Sequence, residues 1–323
     1  MNQQGNNSNV CTLFEGDYHF GLGALTNSLY AHGFRGTIWA GYRGDLPPWA
    51  KPATAHSAYA EYQVAQGCVI RFLRLETTAH LTNFKPDFML SILDQHDPAC
   101  EALFYIDPDI VINEPWPSFE EWITCGVAVC EDVNSPFPVH HPRRVGWRRC
   151  FGKIGITLRP RDASYANGGF VGIARGNREF LVTWKRLQDA MWTVIGGAEF
   201  AGIPGGQSVA GRSGFFDCFG KTDQDALNAA IEAAGEIPVS FLGRQAMGFE
   251  SGKAMLPHAL GALKPWRNRL VRNALRGCGC PPTDRHYWRF VESPIRLYPN
   301  AVLQWRRVQL QVAAAIGRFY RRS

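Results

Sequence analysis

The sequence predicts an α/β protein, a sheet flanked by helices, followed by a basic helical extension at the C-terminus. Three observations predict it. Short apolar runs rich in β-branched and aromatic residues alternate with amphipathic stretches of helical period. The chain opens strand, turn, helix, strand, the start of a βαβ wrapping. The apolar run Ala102 to Ile106 leads straight into Asp107-Pro108-Asp109. Such a run suits a strand buried on both faces. Pro108 cannot donate to a ladder and holds Asp107 extended, so the strand should end there and present two carboxylates at the sheet's carboxyl edge. That edge is where open α/β sheets bind ligands, and two close carboxylates call for a divalent cation.

In order, Val10 to Phe14 reads as the first strand and ends in Glu15-Gly16-Asp17-Tyr18. Phe20 to His32 carries Leu22, Leu25, Leu29 and Tyr30 on one side and stops at Gly33, so it reads as a helix. Gly36 to Tyr42 is the second strand and Val69 to Leu75 another. On the carboxyl rim, Asp17 is placed to bond a nucleobase or ribose while Tyr18 stacks; a solvated turn suits the same residues. Thr82 to Leu93 reads as a helix with Lys85 in its first turn. The helix dipole disfavours a cation there unless an anion joins it, plain surface exposure being the other explanation.

Beyond the aspartates, a helix is expected through Trp122 and a strand from Gly126 to Cys130, followed by Glu131-Asp132. Ser135 to Arg149 reads as a loop rich in Pro, His and Arg, too long for a simple connection. Asn167-Gly168-Gly169 is expected in a turn leading into a strand, its glycines allowing close approach to a ligand. Glu179 to Val194 is an amphipathic helix, and Gly196 to Gly220 a glycine-dense loop. A helix then starts near Asp223-Gln224-Asp225, with Thr222 or Asp223 as its cap. His258, Gly261, Lys264 and Trp266 close the region at regular spacing.

Bulk properties narrow the classes. With 323 residues and 46% hydrophobic content the chain can bury a large core. No apolar run approaches the length of a membrane span. Residues 1–9 read as a disordered polar tail without the features of a secretion signal. Nine scattered cysteines then point to reduced thiols and a cytoplasmic location, and Cys278-Gly-Cys280 lacks the second pair a zinc site needs. The net charge of +6 hides an asymmetry: from Lys264 onward there are 13 Lys and Arg against 2 Asp and Glu. An anionic partner is expected at that end.

In combination these motifs resemble the GT-A glycosyltransferases, most closely family 8 with its galactosyltransferase and glycogenin-like members. The resemblance rests on Thr12-Leu13 with Asp17-Tyr18, Asp107-Pro108-Asp109, Asn167-Gly168-Gly169, Asp223-Gln224-Asp225-Ala226-Leu227-Asn228, and His258 to Trp266, all in the family's order. The last, His-x-x-Gly-x-x-Lys-Pro-Trp, is the most specific. The resemblance implies a GT-A type, Rossmann-like mixed sheet over residues 10–266, with 267–323 as a basic extension. It implies a nucleotide-sugar donor, UDP being the expected base, a glycan or lipid-linked acceptor, and retention at the anomeric carbon.

The resemblance also implies the site. Asp107, Asp109 and His258 would hold one divalent ion, and the imidazole tilts preference from Mg²⁺ toward Mn²⁺. Lys264 and the close approach at Gly261 would serve the phosphates, Asp17 and Tyr18 the nucleoside. Lys85, Asn167 and Gly168 would hold phosphate or sugar hydroxyls. Asp223 and Gln224 would stand beside the anomeric carbon. Glu15-Gly16 departs from the family pattern, and the segment from His140 to Arg144 has no counterpart in it.

Two rival classes share some of these features. Haloacid-dehalogenase-like phosphatases also place Asp-x-Asp after an apolar strand, with the first Asp as nucleophile, but near the chain start and without a partner like His258. A non-catalytic nucleotide-sugar-binding protein would keep the scaffold without the chemistry. Finally, Ala301, Trp305, Val308, Val312, Ile316 and Phe319 recur at helical spacing among arginines. Such a helix suits the inner, anionic face of a membrane, or packing on its own domain or a dimer mate. No nucleic-acid recognition motif is present.

Overall fold

A computed structural model describes residues 7–195, 218–279 and 281–318. Most of the glycine-dense loop, most of the polar tail, Cys280 and residues 319–323, Phe319 among them, lie outside the described residues.

One nine-stranded mixed sheet organises the chain. Its strands are Ser8–Glu15 (β1), Gly36–Arg43 (β2), Thr54–Ala55 (β3), Ala60–Ala65 (β4), Cys68–Arg74 (β5), Ala102–Ile106 (β6), Val127–Glu131 (β7), Ala166–Ala174 (β8) and Val239–Leu242 (β9). They lie in the order β3-β4-β5-β2-β1-β6-β8-β7-β9. The centre, β5-β2-β1-β6, is parallel, and β8 is antiparallel to both β6 and β7.

Side-chain alternation builds two cores from the same strands. In β1, Val10 and Phe14 face one core while Cys11 and Leu13 face the other; in β6, Phe104 and Ile106 oppose Leu103 and Tyr105. The helices His19–Ala31 (α1) and Trp116–Trp122 (α3) cover the first face. Lys85–Ser91 (α2), Pro142–Gly152 (α4), Arg178–Ile195 (α5) and Thr222–Ala233 (α6) cover the second. Burial on both faces explains why these strands read as continuous apolar runs.

Several elements differ from the expectation. β1 begins at Ser8, two residues early, because Ser8 and Asn9 are already buried. The expected loop after Ser135 contains α4: Pro142 starts it, the His141 side chain accepts from the Arg143 N–H, and Trp147 and Phe151 anchor it in the core. Asn167-Gly168-Gly169 lies inside β8, not in a turn. The cap of α6 is also different. Neither Thr222 nor Asp223 provides it; Asp225 reaches back and accepts the backbone N–H of Lys221 at 2.8 Å.

After residue 266 come Leu270–Leu275 (α7), Pro282–Arg289 (α8) and Asn300–Gly317 (α9). Tyr287, Trp288, Val291, Ile295 and Leu297 join the same core as α1. Leu303 packs into that core too, while Ala313, Leu310 and Ile316 of α9 meet Leu270 and Ala274 of α7. The packed side of α9 is therefore not the side that holds Trp305, Val308 and Val312, which stay exposed.

Candidate functional site

β6 ends at Ile106, so Asp107 and Asp109 sit at the carboxyl edge of the central parallel strands. Asp107 is fixed by its own N–H bonding the Gly169 carbonyl at 2.8 Å and by the Tyr105 hydroxyl on its Oδ1 at 2.7 Å. His258 arrives from far along the chain through an antiparallel bridge between Ile110 and His258. The Ala259 N–H to Asp109 carbonyl bond (3.0 Å) and the Val111 N–H to Pro257 carbonyl bond (3.3 Å) complete this pairing. One ligand atom each from Asp107, Asp109 and His258 lies within 4.8 Å of the others.

The geometry suits a divalent ion. His258, only 6% exposed, puts Nε2 3.3 Å from Asp109 Oδ1. At that distance two lone pairs face each other unless a proton or a metal lies between them. Among the described residues its buried Nδ1 has no hydrogen-bond partner, and neither has the buried Nε2 of Gln224. A Cβ on Gly169 would come within 2.7 Å of His258 Cε1 and 3.1 Å of Asp107 Oδ2, so only glycine leaves room there. Two carboxylates and one imidazole form a mixed hard and borderline set, compatible with Mn²⁺ or Mg²⁺.

Two buried lysines balance the carboxylates. Lys85, 1% exposed, donates to the Gly168 carbonyl at 2.8 Å and to Asp223 Oδ2 at 3.0 Å, and lies 3.4 Å from Asp107. Burial pushes its pKa down, but Asp107 and Asp223 outweigh that and hold it above the ordinary value. Lys264 donates to Asp109 Oδ2 at 2.5 Å and to the Ala259 carbonyl at 2.8 Å. Burial alone would push Asp109 up; His258 and Lys264 hold it well below the usual carboxylate range. The surface-exposure account of Lys85 is thus overturned: the dipole's cost is met by carboxylates of the cleft.

The cleft has a volume of about 490 Å³, within the range of small-molecule sites. The structure brings Tyr18, Lys85, Asp107, Asp109, Asn167, Gly168, Asp223, Gln224, His258, Gly261 and Lys264 to its wall. Asp17 is the exception: it forms a bidentate pair with Arg267, whose hydrogen bond holds the carboxyl below its ordinary pKa. Arg267 and Lys264 both lie over the Tyr18 ring, at 5.7 and 5.8 Å. Gln224 accepts the Gly168 N–H at 3.2 Å.

Sequence reasoning passed over Asp132 and Lys221. Asp132, 1% exposed, lines the cleft, accepts from Asn167 Nδ2 at 2.7 Å and lies 3.3 Å from Lys221 Nζ. The signal was available: Asp132 directly follows β7 at the rim where the strand argument placed Asp107.

No family model and no curated protein sequence matches the chain. Solved structures do. The galactosyltransferase LgtC, in complex with donor and acceptor sugar analogs, superposes with a TM-score of 0.52 at 15% identity, covering 92% of this chain and 99% of that one. The fold is that of the GT-A glycosyltransferases. An active-site mutant of LgtC gives the same TM-score at 14% identity with the same coverage. The glycosyltransferase GlyE of Streptococcus pneumoniae TIGR4 matches at 0.50 and 14% identity, over 94% of this chain and 64% of that one.

Proposed function

We propose that the protein is a metal-dependent, retaining glycosyltransferase that moves a hexose from a nucleoside-diphosphate sugar, UDP-linked, to a glycan or lipid-linked acceptor. The observation that carries this reading is the convergence of Asp107, Asp109 and His258 inside a cleft on a GT-A fold. The likeness to LgtC, solved with donor and acceptor sugar analogs, supports it over the phosphatase and non-catalytic alternatives.

Asp107, Asp109 and His258 would hold the divalent ion, Mn²⁺ in preference to Mg²⁺, which when bound supplies Lewis-acid stabilisation of the leaving diphosphate. Lys264, beside Gly261, brings a buried positive charge to the same region. Tyr18 offers its ring to the nucleobase, and Asp17 with Arg267 braces that loop. Lys85, Asn167 and Gly168 hold the sugar end. Asp223 and the amide of Gln224, whose Oε1 is held by the Gly168 N–H, flank the anomeric carbon and stabilise its developing positive charge. Gln224 is a poor nucleophile, so attack from the same face as departure is favoured over a covalent intermediate.

Residues 10–266 form the catalytic unit in this reading, and 267–323 serve as an extension that rests on the inner face of an anionic membrane. The exposed stripe Trp305, Val308 and Val312 beside Arg307 and Arg318 supports the second point. The decisive experiment is a screen of nucleotide sugars for Mn²⁺-dependent transfer or hydrolysis. Asp109→Ala and His258→Ala should abolish it with the fold intact by circular dichroism; full activity in either variant would refute the assignment.

A further inference from the structure

The cleft wall carries its own cations. Asp107, Asp109 and Asp223 bring three carboxylates to it, and the buried Lys85 and Lys264 bring two ammonium groups. The two lysines are tied differently. Lys85 reaches the Gly168 carbonyl, Asp223 and Asp107, so it bridges the sugar end and the metal end. Among the described residues Lys264 pairs with a single acid, Asp109, which is a candidate metal ligand. Its Nζ donates to Asp109 Oδ2 at 2.5 Å and to the Ala259 carbonyl at 2.8 Å.

Asp109 therefore has both oxygens engaged. Oδ1 faces Nε2 of His258 at 3.3 Å, and Oδ2 carries the Lys264 ammonium. The carboxylate is 7% exposed, so water screens the contact little. In formal charge, the three acids and two lysines of the wall leave one net negative charge. A divalent ion added alone would turn that set net positive and press against the ammonium on the same carboxylate. A diphosphate beside the ion restores the negative balance and offers the ammonium a second anion. Lys264 is placed to use it. It lines the cleft 5.8 Å from the Tyr18 ring centre, and the residues before it, Gly261 to Leu263, are exposed.

We infer that Lys264 is a placeholder cation that makes metal and diphosphate load as a pair: it holds Asp109 Oδ2 against the ion and yields it when a diphosphate accepts its N–H groups. The inference deepens the glycosyltransferase reading, since it concerns the loading of that same cleft. Linkage makes the effect reciprocal: the factor by which the diphosphate raises metal affinity is the factor by which the metal raises diphosphate affinity. Lys264 thus opposes the metal alone and supports the diphosphate, and removing it should move the two affinities in opposite directions.

The test is calorimetric titration of the full chain, first with Mn²⁺ alone and then with UDP in excess Mn²⁺. Lys264→Met should bind Mn²⁺ alone about tenfold tighter than the wild type, and UDP in excess Mn²⁺ about tenfold more weakly. Lys264→Arg, which keeps the charge, should stay within about threefold of the wild type for Mn²⁺ alone. If Lys264→Met is unfolded by circular dichroism, Lys264→Gln carries the same expectation, because it keeps a donor for Asp109 without the charge. Mn²⁺ affinity that is unchanged or lower in the folded neutral variant overturns the inference and leaves the transfer reading standing. Wild-type chain that binds neither Mn²⁺ nor UDP overturns both.

Discussion

Lys85 Nζ and Asp223 Oδ2 meet at 3.0 Å although 138 residues separate them, and the same ammonium reaches Asp107. The contact ties the helix after β5 to both ends of the reaction centre. Lys85→Met removes the cation and leaves Asp107, Asp223 and the Gly168 carbonyl without it. Breaking such a buried pair costs about 3–5 kcal/mol. Thermal unfolding should show that loss, and sugar transfer should fall on the order of 100-fold or more. Unchanged activity in a folded Lys85→Met would remove this lysine from the proposed site.

Gly169 abuts two of the three candidate metal ligands. The Cβ of Gly169→Ala would press on His258 Cε1 and Asp107 Oδ2. Mn²⁺ affinity, read by calorimetry on the free protein, should drop about 10–100-fold. The overpacking itself should cost about 1–3 kcal/mol in stability. Undiminished Mn²⁺ binding would mean that the ion sits elsewhere.

Asp225 makes stability depend on pH. Burial raises its carboxyl to about 7. The folded pKa exceeds the unfolded one, so the folded state retains its proton while the unfolded chain has lost it. Stability from this group is full below about pH 4 and declines as pH rises to about 7. Asp284, raised by burial to about 6, acts in the same direction. Denaturant melts across this window should show a shallower decline in Asp225→Asn, with a difference on the order of a few kcal/mol at most. An identical pH profile in the variant would contradict the assignment.

Trp305 lies 61% exposed on α9, on a side that nothing among the described residues covers. Replacing Trp305, Val308 and Val312 with Ser should weaken binding to phosphatidylserine-containing vesicles about tenfold or more, with nucleotide affinity untouched. Wild-type chain that ignores these vesicles, or sediments as a dimer that the triple variant abolishes, would point to a second copy as the occupant.

Local chemistry was legible in the sequence because it repeats at short range. Uninterrupted apolar runs identified strands covered on both sides, and Pro108 located the end of β6. The spacing from His258 to Trp266 marked that stretch before its position was known. Short-range reading failed where a partner lies far away. α4 reads as a loop in sequence because its apolar anchors, Trp147 and Phe151, are sparse among arginines, and their burial depends on the second core. Asp132 gained meaning only beside Asn167 and Lys221.

The sequence by itself determined which residues could carry the chemistry, since charge, size and backbone freedom are properties of each residue. Tertiary structure alone decided which of them share a cleft. The bridge from Ile110 to His258 brings the imidazole to Asp109, and Arg267 pairs with the Asp17 carboxylate, which does not line the cleft. The physical reason is that Coulombic and coordination forces act over a few ångströms. Distance in space, set by how the sheet and its connections pack, decides their partners.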